Sequence, residues 1–199
     1  MPLRHNLNLL AKKPLILLIV ITGGFFSLSI LAFLGYLSVA YKSFYVPSGS
    51  MEPTLKINDR LLANRLAYDS RLPQRGDIIV FEITEALRKR NFQGTFLGRV
   101  VGLPEDKIEL KEGKVYVNNT VLTENYLQEK ETEIFCLPED RPYLTQPVVI
   151  PENSYLVLGD NRDNSYDGRC WGVVPEEKII GKIVFRYFPF KRFGSLNEK

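Results

Sequence analysis

The sequence predicts a mostly β protein: one N-terminal membrane-spanning helix followed by an antiparallel β domain. Two observations carry this. An uncharged apolar run fills residues 14–41, and beyond it short β-branched and aromatic segments recur between turns rich in glycine and proline. The expected division is a short tail at 1–13, an anchor at 14–41, a β domain at 42–191 and a loose polar tail at 192–199.

The apolar run exceeds the roughly 20 residues needed to cross a bilayer core. A buried helix of a soluble domain would carry a polar face, and this run has none. Ser38-Val39-Ala40 resembles a small-residue cleavage site, but a removable leader has an apolar region about half as long. Arg4, Lys12 and Lys13 precede the run and only Lys42 closely follows it. The positive-inside bias therefore keeps the N-terminus in the cytoplasm and exports the remainder.

Strands are expected at 77–83 and 96–103, as a hairpin over 107–117 turning at Gly113, and at 154–158 and 182–187. Composition narrows the function classes. A net charge of +3 with interspersed signs argues against nucleic acid as a partner. His5 is the one histidine and Cys136 and Cys170 the only cysteines, so no metal or cofactor is expected. The two thiols are equally compatible with a disulfide and with free cysteines.

The segment PSGSMEPT at 47–54 is, taken alone, a turn. Its position adds something. Nine steps along the chain separate Tyr41 from Ser50, so Ser50 lies within about 30 Å of the span even in a fully extended chain. A reactive group there would meet substrates that are themselves membrane-embedded.

Four segments together resemble the type I signal peptidase family of serine endopeptidases. PSGSMEPT resembles its nucleophile box, RGDIIVF at 75–81 the strand that follows, RVVGLPED at 99–106 the box of the general base, and GDNRDNSYDGR at 159–169 with WGVVP at 171–175 the last box. They stand in the family's order over nearly the whole exported part. The resemblance implies an all-β domain with an apolar surface resting on the bilayer, and cleavage of signal peptides of exported preproteins after small residues. It implies a plasma membrane, or an internal thylakoid-type one, as the location.

By the same resemblance Ser50 is the nucleophile, and its backbone N–H and the Ser48 hydroxyl form the oxyanion hole. Ser165 is the serine that orients the base, and Asp167 and Arg169 are a structural ion pair near the site. Phe44, Val46, Pro47, Met51, Leu55, Val80, Phe96 and Leu97 match positions lining shallow pockets for small side chains. Val80 and Leu97 fit ordinary core packing equally well.

One departure bears on the chemistry. The family's general base is a lysine immediately before the arginine that opens the third box, and here that position is Gly98. Arg99 stays protonated and cannot replace it, and His5 is expected on the other side of the membrane. Lys56, Lys89 and Lys107 are the nearest lysines in sequence to the boxes. Glu105 stands where the family usually has glycine, and Gly168 where it usually has serine. Two functions are therefore carried forward: an active signal-peptide endopeptidase, and a catalytically impaired member that binds signal peptides or assists an active paralogue; contact with the secretion machinery or a paralogue is the partner expectation. A membrane-tethered scaffold is the third.

Overall fold

The computed structural model describes residues 7–127, 132 and 136–196. The chain divides into two compact units, 1–40 and 41–199. The first contains α1 (Leu7–Ala40). It begins before the uncharged run because hydropathy marks a lipid-compatible stretch, not the point where a helical backbone starts. Among the described residues one helix stretch, Val20–Ala40, is long and apolar enough to cross a membrane, with a mean hydropathy of 1.9. Thr22, Ser27 and Ser29 each donate to the carbonyl four residues back, and Ser38 to that three back, at 2.7–2.9 Å. Their hydroxyls are thus satisfied without water.

The second unit is antiparallel β. Its strands are β1 (Tyr41–Tyr45), β2 (Arg60–Asn64), β3 (Ile78–Glu82), β4 (Thr95–Gly102), β5 (Lys107–Lys111), β6 (Lys114–Val117), β7 (Thr120–Val121), β8 (Val148–Val149), β9 (Ser154–Leu158), β10 (Val173–Pro175), β11 (Ile179–Phe188) and β12 (Gly194–Ser195). The larger sheet runs β1-β2-β11-β3-β4-β9-β10, with β12 beside β11; the smaller runs β7-β6-β5-β8. Short helices α2 (Glu85–Lys89) and α3 (Gly168–Trp171) sit in connections. β12 falls within the stretch expected to be a loose tail. Next to it Arg192 forms an ion pair with the fully buried Asp59.

The sequence could not order these strands, because β11 near the C-terminus inserts between β2 and β3. Its aromatic and β-branched residues fill both faces, which marks a central strand. β9, SYLVL, is buried at every position. Alternation along β4 then assigns residues to two cores. Leu97 packs with Val46, Met51, Leu55 and Val80, while Phe96 and Val100 pack with Ile79, Phe81 and Val157. Gly98 shares the second face, as shown by the atoms a side chain there would meet.

Two local departures have physical reasons. Asp106 N–H donates to Leu103 O at 3.1 Å, closing a turn with Pro104 and Glu105 at its centre, and Glu105 has φ +67°. This is the position where such turns favour glycine. A Cβ on Gly168 would lie 2.8 Å from Val157 O, so helix α3 lies closely against β9 where a larger residue would push it away.

Candidate active site

Ser50 is held by apolar anchors on both sides. Val46 and Met51 are 2% and 1% exposed, in a core shared with Leu55 and Leu61. The segment between them is pinned at both ends: Val46 N–H donates to Asp59 O and Asn58 N–H to Val46 O, each at 3.0 Å, and Leu55 N–H donates to Met51 O at 2.8 Å. With its flanks buried, the chain presents Ser50 at the surface in a turn closed by Glu52 N–H to Gly49 O, 3.1 Å. The hydroxyls of Ser48 and Ser50 lie 3.2 Å apart.

The β9–β10 connection supports this turn from behind. Asn161 donates its N–H to Ser50 O at 3.0 Å and its Nδ2 to Gly49 O at 3.1 Å. A Cβ on Gly159 would lie 2.5 Å from Ser50 O and collide with Ser165 Oγ. Glycine is what lets the Ser50 segment and the Ser165 loop approach each other.

Three buried ion pairs fix the connection. Arg99 donates to both carboxylate oxygens of Asp160 at 2.8 and 2.7 Å, and Thr54 Oγ1 donates to the same carboxylate at 2.5 Å. Arg169, fully buried, donates twice to Asp167 at 2.8 and 2.9 Å and once to Ser165 O at 3.1 Å. Asp167 also accepts from Gly159 N–H at 2.9 Å. Arg162 pairs with Glu124 and donates to Gly159 O at 2.9 Å. Burial works to lower the Arg162 pKa, and the hydrogen bond and charge of Glu124 outweigh it, leaving it raised. Buried guanidinium groups need such partners.

Glu124 and Tyr126 were not legible as site residues. Tyr126 stacks on the Arg99 guanidinium at 3.9 Å and donates to Glu124 at 2.5 Å. Burial, then the Glu124 charge and hydrogen bond, push its hydroxyl pKa up. These contacts arise from a loop folding back over the last box, and no spacing in the sequence announces them.

A cleft of about 620 Å³ opens over Ser50. Ser48, Gly98, Ser165, Phe44, Val46, Pro47, Met51, Phe96 and Leu97 line it together. Leu55 and Val80 do not; they are 0% and 1% exposed in the core behind it. Asp167 lies at its edge, and Arg169 is buried beneath. Lys56, Lys89 and Lys107 are not among the lining residues. The ionisable side chains that do line the cleft, among the described residues, are Tyr45, Tyr166 and Asp167. Asp167 is fully engaged with Arg169 and Gly159. Cys136 and Cys170, left open by the sequence, form a disulfide.

Two serine hydroxyls 3.2 Å apart in a cleft of a β domain are the arrangement a serine peptidase would present. The sequence pattern described as "Signal peptidase, peptidase S26" matches residues 18–188. The chain belongs to that family. A probable signal peptidase I-2 of Synechocystis sp. is 46% identical over 154 residues, 77% of this chain and 66% of that protein, just under two thirds of its length. A signal peptidase I of Leptolyngbya laminosa is 43% identical over 85% of this chain and 79% of its own. A probable thylakoidal processing peptidase 2 of Arabidopsis thaliana is 38% identical over 76% of this chain and 39% of its own. A signal peptidase I structure from Enterococcus faecalis is 33% identical, covering 56% of this chain and 97% of that one with a TM-score of 0.44.

Proposed function

We propose that the chain is a membrane-anchored serine endopeptidase that removes signal peptides from exported preproteins after small residues. The observation that carries this is Ser50, surface-presented between buried anchors with the Ser48 hydroxyl at 3.2 Å. Ser50 Oγ would attack the scissile carbonyl carbon while the Ser48 hydroxyl and the Ser50 N–H take the developing oxyanion. The proton that Ser50 gives up passes through water to the leaving nitrogen, the C–N bond breaks, the amine leaves, and a second water hydrolyses the acyl-serine to a carboxylate and free Ser50. The uncharged stretch within α1 supports a single-pass anchor, with the β domain extracytoplasmic, in a plasma or thylakoid-type membrane.

A second reading has its own observation. A Cβ at residue 98 would lie 2.5 Å from Val157 Cγ1, and no described lysine lines the cleft. Without a base, turnover falls by a factor of about 100 or more, and the same groove would serve to bind signal peptides, alone or for an active paralogue. Incubating purified full-length protein with a preprotein decides between the two. Cleavage by the wild type and none by Ser50→Ala supports the peptidase; binding without cleavage by either supports the second reading.

A further inference from the structure

The cleft has an aromatic wall that shares only Phe96 with the positions matched to the pockets for small side chains. Phe92 stacks on Tyr166 with ring centroids 5.4 Å apart and meets Phe96 edge-on at 5.6 Å. Phe81 lies 6.1 Å from Phe96 and 5.9 Å from Trp171. All five rings line the same cleft as Ser50, and Phe92, Phe96, Tyr166 and Trp171 are half-buried, so each shows part of a ring to the opening.

This wall is held from outside the site. Asp140 forms an ion pair with Arg90, two residues before Phe92, and accepts a hydrogen bond from Tyr166. The segment carrying Asp140 is tied by the Cys136–Cys170 disulfide to α3, next to Trp171. Trp171 Nε1 in turn donates to Tyr166 O at 3.1 Å. The rings are therefore fixed before any ligand arrives, which lowers the ordering cost of binding.

The wall also has a direction. In acyl transfer the group that takes the nucleophile's proton delivers it to the leaving nitrogen. Position 98, where that group would stand, faces the core of Phe81, Phe96 and Val157. The wall thus flanks the leaving half of the substrate.

We propose that the wall of Phe92, Phe96, Tyr166 and Trp171 is a subsite for a large apolar or aromatic side chain in the first two residues after the cut. This rests on the signal-peptide reading above and adds a preference on the leaving side of the bond.

The test uses full-length Ser50→Ala protein in detergent micelles and the emission of Trp171, the chain's one tryptophan. Two peptides share an identical stretch ending in Ala-x-Ala and differ by Phe or Ala in the two following positions. The expected result is roughly tenfold tighter binding of the Phe peptide, the scale set by burying one aromatic ring, with a shift in emission. Phe92→Ala should bring the ratio close to one. Phe92→Leu, which keeps apolar bulk, should leave it between the two, and a cooperative melt of each variant checks its fold. Equal affinities for the two peptides, or a ratio indifferent to Phe92→Ala, overturn the subsite alone. Failure of both peptides to bind overturns the signal-peptide reading and the subsite with it.

Discussion

Val157 occupies the space in which a side chain at residue 98 would begin: a Cβ built on Gly98 lies 2.5 Å from Val157 Cγ1 and 3.2 Å from Leu158 O. Val157 is 1% exposed and packed among Ile79, Phe81 and Tyr155. The site is therefore closed around glycine, and is more than a lysine site with its occupant removed.

Gly98→Lys alone is expected to destabilise the domain by about 1–3 kcal/mol, the cost of overpacking a buried position. Adding Val157→Ala should recover part of the melting temperature and give the faster cleavage of the two variants, by a factor of about 100 or more over the wild type. Thermal melts and a preprotein assay on the three proteins check this. A single lysine variant that melts like the wild type would show that Val157 yields freely.

Asp167→Ala leaves Arg169 buried without its carboxylate. Removing one partner of a buried pair costs about 3–5 kcal/mol, to be read as a loss of folding free energy in urea. Because Asp167 also holds Gly159 N–H, and Arg169 holds Ser165 O, the damage should extend to the cleft. Amide hydrogen exchange over 159–169 should quicken more than exchange in β5 and β6.

Glu105→Gly should stabilise the protein. A non-glycine residue at φ +67° carries a left-handed cost of roughly 1–2 kcal/mol, part of which glycine returns as unfolded-chain entropy. A net gain of about 0.5–1 kcal/mol is expected in chemical denaturation, with the denaturant slope unchanged.

Tyr166 is pushed up to about 12 by burial first and then by its hydrogen bond to Asp140. A raised pKa in the folded state means that folding favours the neutral phenol. The associated stability is complete below the ordinary value of about 10 and is lost as pH rises through 12. Tyr166→Phe should remove a late-titrating component from the ultraviolet absorbance and flatten the fall in melting temperature between pH 10 and 12.

How much of this was legible in the sequence depends on how local the cause is. β3, β4, the β5–β6 hairpin, β9 and β11 were readable because β-branched runs and a glycine turn act within a few residues. β1 and β2 were not: YKSFY and RLLAN have little pattern of their own and become strands by pairing with each other and with β11. Ser50, Ser48, Gly98 and Ser165 were named through family resemblance, and the fold gathers them into one cleft. Leu55 was named as a groove residue and Val80 as groove or core alike, and both are buried in the core, since apolar character alone does not separate a pocket wall from the packing behind it. Glu124 and Tyr126 were missed because they reach the site from a loop, and the joining of Phe92, Tyr166 and Trp171 with Phe96 and Phe81 was missed because it depends on contacts between elements distant in sequence.

The Cys136–Cys170 bond gives the protein a history. It fastens the loop of Asp140 to the helix beside Trp171, so two samples identical in sequence can differ at the cleft according to whether they met an oxidant while folding. Material made in a reducing cytosol and material made in an oxidising compartment should be treated as different reagents. Comparisons of peptide binding between laboratories will agree only once the thiol content of each preparation has been counted.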